Sequence, residues 1–312
     1  MRIAVVGAGG VGGYIGGRLA LAGNDVVLIA RGAHLKAIQA EGLKVKSING
    51  DFQVRVTATD RPETAGTVDL VIFAVKSYDT EAAAAQIRPM VRPDTAILTV
   101  QNGVDNEEKL VRVFGPERVL GGVVYIDSYV EAPGVVAHLD GGRVVFAELD
   151  GRPSERAALI RQTLEAAGIP AEISEDIAKV KWTKLLFNCA LNSMTALARC
   201  YHTDILQTPE GREVFVGLIR EAEAVARARG VNLDADVVEK IVQRADNLPP
   251  SRSSMLYDVL SGKPLEADAL NGVIVRYGRE LGIPTPFNQA LYGTLKVIDK
   301  IHREGRRTIS GV

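Results

Sequence analysis

A four-residue apolar run, IAVV at residues 3–6, leads directly into Gly7, Gly9 and Gly12, and then into a helical pattern through Leu19 and Leu21. A short apolar run without alternation fits a strand buried on both faces, as in a parallel sheet covered by helices. The order strand, glycine turn, helix gives each glycine a separate task. The first permits the tight turn, the second lets a pyrophosphate approach the backbone, and the third lets helix and strand pack closely. Backbone amides at the helix N-terminus then hold phosphate charge, so Gly7, Ala8, Gly9, Gly10, Val11 and Gly12 are the candidate cofactor loop. Glycines at this spacing are a weak signal alone; the strand-to-helix context makes them a dinucleotide signature.

The next apolar run, residues 26–29, should end in a carboxylate if the cofactor were NAD, because a carboxylate accepts the ribose 2′-hydroxyl. It ends instead in Ala30 and Arg31, with His34 and Lys36 beyond. Cationic side chains suit a 2′-phosphate through charge-assisted hydrogen bonds, so NADP is the expected cofactor and Arg31 its phosphate ligand. An exposed loop arginine is the plainer reading of that residue.

Composition narrows the partners. With 37 basic and 38 acidic residues in 312, the net charge is −1. No bulk electrostatic attraction to nucleic acid or an anionic membrane follows, and any cationic site must be local. Cys189 and Cys200 do not form a CxxC pair, and His34, His138, His202 and His302 have no metal-ligand spacing. The expectation is a cytoplasmic protein without a metal, with reduced thiols and no membrane segment.

Further apolar runs at residues 69–75 and 95–100 read as buried strands, followed by Lys76 and by Gln101, Asn102 and Gly103. Ligands of open parallel sheets bind beyond such strand ends, which makes Lys76 and Asn102 candidates; each also suits a cap of the following helix. Asn49-Gly50 marks a hairpin. Residues 119–147 read as strands broken by glycines, and 156–167 as a helix stopped by Gly168 and Pro170. From Asp176 onward only helical periods remain, including one over 265–281 that Glu266 opens. This implies an N-terminal Rossmann-type doubly wound α/β domain over 1–174 and an all-helical C-terminal domain over 175–312.

The second domain begins with KWTKLLFNCALNSMTAL, residues 181–197. As a helix it aligns Lys184, Asn188 and Asn192 on one stripe, flanked by Leu185, Leu186, Ala190, Leu191 and Met194. An ammonium and two amides among apolar neighbours call for a polar ligand, and a small anion satisfies all three. A merely wet helix edge is the alternative. Further on, Ser254 and Glu266 open helices, where a cap and a first-turn acid respectively are the plainer roles.

Together these segments resemble the ketopantoate reductase family, the NADPH-dependent 2-dehydropantoate 2-reductases. The resemblance rests on GAGGVGG at 7–13, AVK at 74–76, QNG at 101–103, KLLFNCALN at 184–192, SSMLYD at 253–258 and KPLEADALNG at 263–272. It implies reduction of 2-dehydropantoate to pantoate on the way to pantothenate and coenzyme A. Lys184 matches the catalytic lysine that protonates the carbonyl oxygen, and Glu266 a carboxylate that orders lysine and substrate. Asn188, Asn192 and Ser254 match residues that hold the keto acid. Lys76 and Asn102 match the nicotinamide end of the cofactor, with Asn102 also bordering the substrate, and Arg31 matches a 2′-phosphate ligand. His202 departs from members that carry an asparagine near the substrate, which leaves the acyl group open.

The chemistry asks for these residue types. Hydride addition turns a carbonyl oxygen into an alkoxide, and an ammonium is acidic enough to protonate it. With lysine on the second domain and nicotinamide on the first, the reaction is expected in an interdomain cleft of a monomer or homodimer. Competing readings are an NADP-dependent enzyme acting on another 2-keto or hydroxy acid, and a non-enzymatic NADP(H) sensor. The sensor would need the glycines and Arg31 but no lysine on the stripe.

Overall fold

The computed structural model describes residues 1–306. By internal contacts they divide into two compact units, one of residues 1–101 and 105–180, the other of 102–104 and 181 onward.

The first unit starts with β1 (Arg2–Val6), α1 (Gly10–Leu21), β2 (Asp25–Ile29), α2 (Gly32–Glu41), β3 (Leu43–Ser47), β4 (Phe52–Val54) and β5 (Thr57–Thr59). It continues with β6 (Val68–Phe73), α3 (Thr80–Gln86), β7 (Val91–Thr99), α4 (Asn106–Phe114), β8 (Val119–Ala132), β9 (Val135–Glu148), α5 (Glu155–Ala166) and β10 (Ala171–Ile173). The strands form one sheet in the order β4-β3-β9-β8-β7-β6-β1-β2-β5, with β10 beside β9. From β8 to β5 all pairings are parallel, and β1 lies between β2 and β6. The chain therefore moves from β1 to one side and returns to the other, which puts the topological switch point of a Rossmann-type sheet at the C-terminal end of β1.

Apolar side chains of β1 point alternately into two cores, Ile3 and Val5 on one face, Ala4 and Val6 on the other. That explains why the run lacks alternation: both faces are covered. Ser154 caps α5 by accepting from the Ala157 amide at 3.0 Å, and Gly168 follows its end with φ +70°.

The expected fragmentation of residues 119–147 is corrected. β8 and β9 are continuous strands of 14 residues each, paired antiparallel. Opposite Tyr125 and Ile126 the register skips from Arg143 to Gly141, so Gly142, at φ +114°, is the extra residue of a bulge. Here the glycine bends a strand without ending it.

The second unit is helical: most of α6 (Ile177–Ala198), then α7 (His202–Gln207), α8 (Pro209–Ala228), α9 (Val237–Asn247), α10 (Ser254–Leu260), α11 (Val273–Leu281) and α12 (Pro286–Arg303). Its core shows the 3.6-residue period directly: Phe215, Leu218, Ile219, Ala222, Val225 and Ala226 of α8 are all fully buried. Short α7 was not foreseen. A further correction concerns residues 265–281, which are not one helix. Asp268–Gly272 is a π-helical turn ahead of α11, and Glu266 lies before it in irregular chain. Buried Asp299 accepts the Leu265 amide at 2.8 Å and ties this entry segment to α12.

Among the described residues no helix is long and apolar enough to cross a membrane, and no cluster of His, Cys, Asp and Glu could hold a metal ion.

Candidate active site

In the first unit the glycine turn is fixed by both neighbours of β1. Gly7 and Ala8 donate their amides to the Ile29 carbonyl at the end of β2, at 3.1 and 3.3 Å. Ala74, just past β6, donates to Val6 at 2.8 Å. Gly7 has φ +95°, and a Cβ there would lie 2.7 Å from the Val75 amide nitrogen. A Cβ on Gly12 would collide with the Gly7 carbonyl. A Cβ on Gly9 would meet nothing within 4 Å. Packing thus accounts for the first and third glycines but not the second. Gly9 is the N-cap of α1 and makes no side-chain cap; the following amides, from Gly10, Val11 and Gly12, belong to the first helical turn and suit a pyrophosphate.

Arg31 occupies the N-cap position of α2, two residues past β2. Its guanidinium is largely exposed and pairs with Asp79 at 2.7 Å. His34, grouped with it as a cation, has a different role: its Nδ1 accepts the Gly134 amide at 3.0 Å, and burial lowers its pKa, so it is neutral at pH 7. Lys76 is half-buried at the N-cap position of the 3-10 turn Ser77–Asp79, without a side-chain cap bond. Gln101 supports this edge, donating to the Val75 carbonyl at 2.9 Å and to Thr80 Oγ1 at 2.8 Å.

In the second unit α6 carries Lys184, Asn188 and Asn192 on one stripe, while Leu185, Leu186, Cys189 and Ala190 turn into the core. Asn192 is buried; Lys184 and Asn188 are half-buried. Asn192 Nδ2 lies 3.4 Å from Ser254 Oγ, its hydrogen-bond acceptor. Next to this pair Thr195 and Ser253 share a hydroxyl–hydroxyl bond of 2.7 Å, and Ser253 Oγ accepts the Leu256 amide at 3.1 Å. Ser253 is therefore the N-cap of α10, and Ser254 is left to face the amide stripe. The capping role considered for Ser254 belongs to its neighbour.

Glu266 is 6% exposed. Its position is set by the π turn, whose Ala269 and Leu270 amides donate to the Glu266 carbonyl at 3.1 and 3.2 Å. Asn271, in the same turn, donates to the Cys189 carbonyl of α6 at 2.9 Å and to Asn288 Oδ1 at 3.0 Å. The segment that presents Glu266 is thus clipped to the helix that presents Lys184. Asn102 belongs to this unit by contacts and is half-buried.

These surroundings lower the Lys184 pKa to about 8, well below an ordinary lysine. Burial is the largest cause; Glu266 opposes it, and the positive charges of Lys181 and Arg244 add to it. Lys181 was missed by sequence reading although it lies one turn before Lys184 on the same face. Arg244 and Asn271, distant in sequence, gave no comparable signal. An ammonium with a pKa near neutrality is suited to give up a proton in a reaction and regain it from water.

Residues 3–151 match the family described as ketopantoate reductase PanE/ApbA, and residues 176–299 match its C-terminal counterpart. The chain belongs to the ketopantoate reductase family. The 2-dehydropantoate 2-reductases of Mesorhizobium japonicum and Archaeoglobus fulgidus are 32% and 33% identical to it, over 95% and 96% of this chain and 97% and 98% of theirs. A PanE/ApbA family ketopantoate reductase from Ralstonia eutropha has a crystal structure that superimposes with a TM-score of 0.91 at 37% identity, covering 97% of this chain and all of that one. As a member of that family the chain is an oxidoreductase by class.

Proposed function

We propose that this chain reduces 2-dehydropantoate to pantoate with NADPH, residues 1–174 binding the cofactor and residues 175–312 the keto acid. The observation that carries the reading is the stripe of α6, where Lys184 and Asn188 line up with buried Asn192, itself bonded to Ser254 Oγ at 3.4 Å. Burial pushes the Lys184 pKa down to about 8 against the opposing charge of Glu266.

NADPH supplies the hydride when bound. Gly7, Ala8, Gly9, Gly10, Val11 and Gly12 approach its pyrophosphate, Arg31 holds the 2′-phosphate, and Lys76 and Asn102 border the nicotinamide end. In the second unit the side-chain amides of Asn188 and Asn192 donate to the substrate carboxylate and hydroxyl, and Ser254 Oγ completes that set. Lys184 Nζ donates a proton to the carbonyl oxygen as negative charge develops there. Glu266 keeps enough of the lysine protonated for this and orients it. The enzyme acts in the cytoplasm on this reading, consistent with its free thiols, Cys189 and Cys200.

The reading is tested by NADPH oxidation with 2-dehydropantoate, pyruvate and 2-ketoisovalerate in parallel. The expected result is the highest kcat/KM with 2-dehydropantoate. A higher value with another keto acid would replace the substrate while keeping the chemistry, and oxidation with none would return the chain to NADP(H) binding alone.

A further inference from the structure

The guanidinium assigned above to the 2′-phosphate is already held by a carboxylate. Arg31 Nη2 donates to Asp79 Oδ2 at 2.7 Å. Arg31 follows β2, and Asp79 closes the 3-10 turn that follows β6. These are the two strands flanking β1, and the backbone bonds at Ile29 and Ala74 hold both strand ends against the glycine turn. The pair therefore stands at the switch point, where a Rossmann-type sheet reads the adenosine ribose. A carboxylate at that place accepts the 2′-hydroxyl of NADH, whereas a cation attracts the 2′-phosphate of NADPH. The sequence at the end of β2 offers only the cation. The fold brings the carboxylate from 48 residues further along.

We propose that Asp79 is a coenzyme-specificity residue: paired with Arg31, its carboxylate accepts the ribose 2′-hydroxyl and repels a 2′-phosphate, so it moderates the NADPH preference that Arg31 confers. This rests on the assignment of Arg31 to the 2′-phosphate. The Arg31 side chain is 82% exposed and that of Asp79 31%, so the ion pair itself is weak and a phosphate dianion displaces it from the guanidinium. The displaced carboxylate stays beside the phosphate, and like charges in contact set specificity against the more anionic ligand. Helix capping does not explain Asp79, which occupies the N-cap position of α3 without making a side-chain cap bond.

The test compares kcat/KM for NADPH and NADH in wild type, Asp79→Asn, Asp79→Ser and Arg31→Ala. Removing the carboxylate in either form is expected to raise the NADPH-to-NADH ratio by about tenfold, and Arg31→Ala to lower it. If Arg31→Ala lowers the ratio while both Asp79 variants leave it unchanged or lower it, the role of Asp79 is overturned and that of Arg31 stands. If Arg31→Ala depresses both coenzymes equally, the phosphate assignment fails and the proposal fails with it. A structural role for Asp79 would reduce both coenzymes alike and leave the ratio at its wild-type value.

Discussion

Asn192 of α6 and Ser254 of α10 meet side chain to side chain, amide nitrogen to hydroxyl oxygen at 3.4 Å, while the adjacent Ser253 makes the helix cap. Two neighbouring serines therefore have separable effects. Ser254→Ala should raise KM for the keto acid by about tenfold or less, the scale of one hydrogen bond, with little change in stability. Ser253→Ala should cost about 1 kcal/mol in urea denaturation through the lost cap. Equal effects on KM from both would remove Ser254 from the substrate site.

Glu266→Gln tests the electrostatics. Glu266 raises the Lys184 pKa against the downward pull of burial. Neutralising it should move the alkaline limb of the reduction rate to lower pH, and an unmoved limb would show that Glu266 does not act through the lysine. The same balance bears on stability. Below pH 8 the lysine is charged whether folded or unfolded, and its burial cost is felt in full. As pH rises from about 8 toward the ordinary value of 10.5, the folded state releases its proton first, and the cost fades. Lys184→Met should accordingly be the more stable protein at pH 7, with the difference shrinking across that window.

The glycine turn offers a separation of fold from function. Gly12→Ala forces a Cβ against the Gly7 carbonyl and should destabilise the protein by roughly 1–3 kcal/mol, read in denaturant melts. Gly9→Ala meets open space, so its stability should stay near wild type while its NADPH affinity falls. Unchanged affinity in the Gly9 variant would mean that no ligand approaches there.

What could be read from the sequence was what local periodicity encodes. The run at residues 3–6 announced a strand covered on both faces, and the four-residue spacing of Lys184, Asn188 and Asn192 announced a shared stripe, because strand and helix geometry fix those relations without tertiary information. What escaped was decided by distant partners. Gly142 reads as a strand breaker until β8 is alongside to make it a bulge. The π turn at Asp268–Gly272 depends on Asn271 reaching Cys189, 82 residues away, and on Asp299 holding Leu265. His34 looked like a phosphate ligand because its acceptor role depends on Gly134 in a hairpin 100 residues on. Which of Ser253 and Ser254 caps α10 turned on a single residue of register.

The pH dependence of kcat for NADPH-driven reduction of 2-dehydropantoate, in wild type and in Lys184→Ala, addresses the proton donor most directly. The wild-type rate should fall as pH rises through about 8, because the donor loses its proton there. Lys184→Ala should be slower by about a hundredfold or more at neutral pH, without that limb and with NADPH affinity retained. The same limb and comparable turnover in both proteins would contradict Lys184 as the proton source.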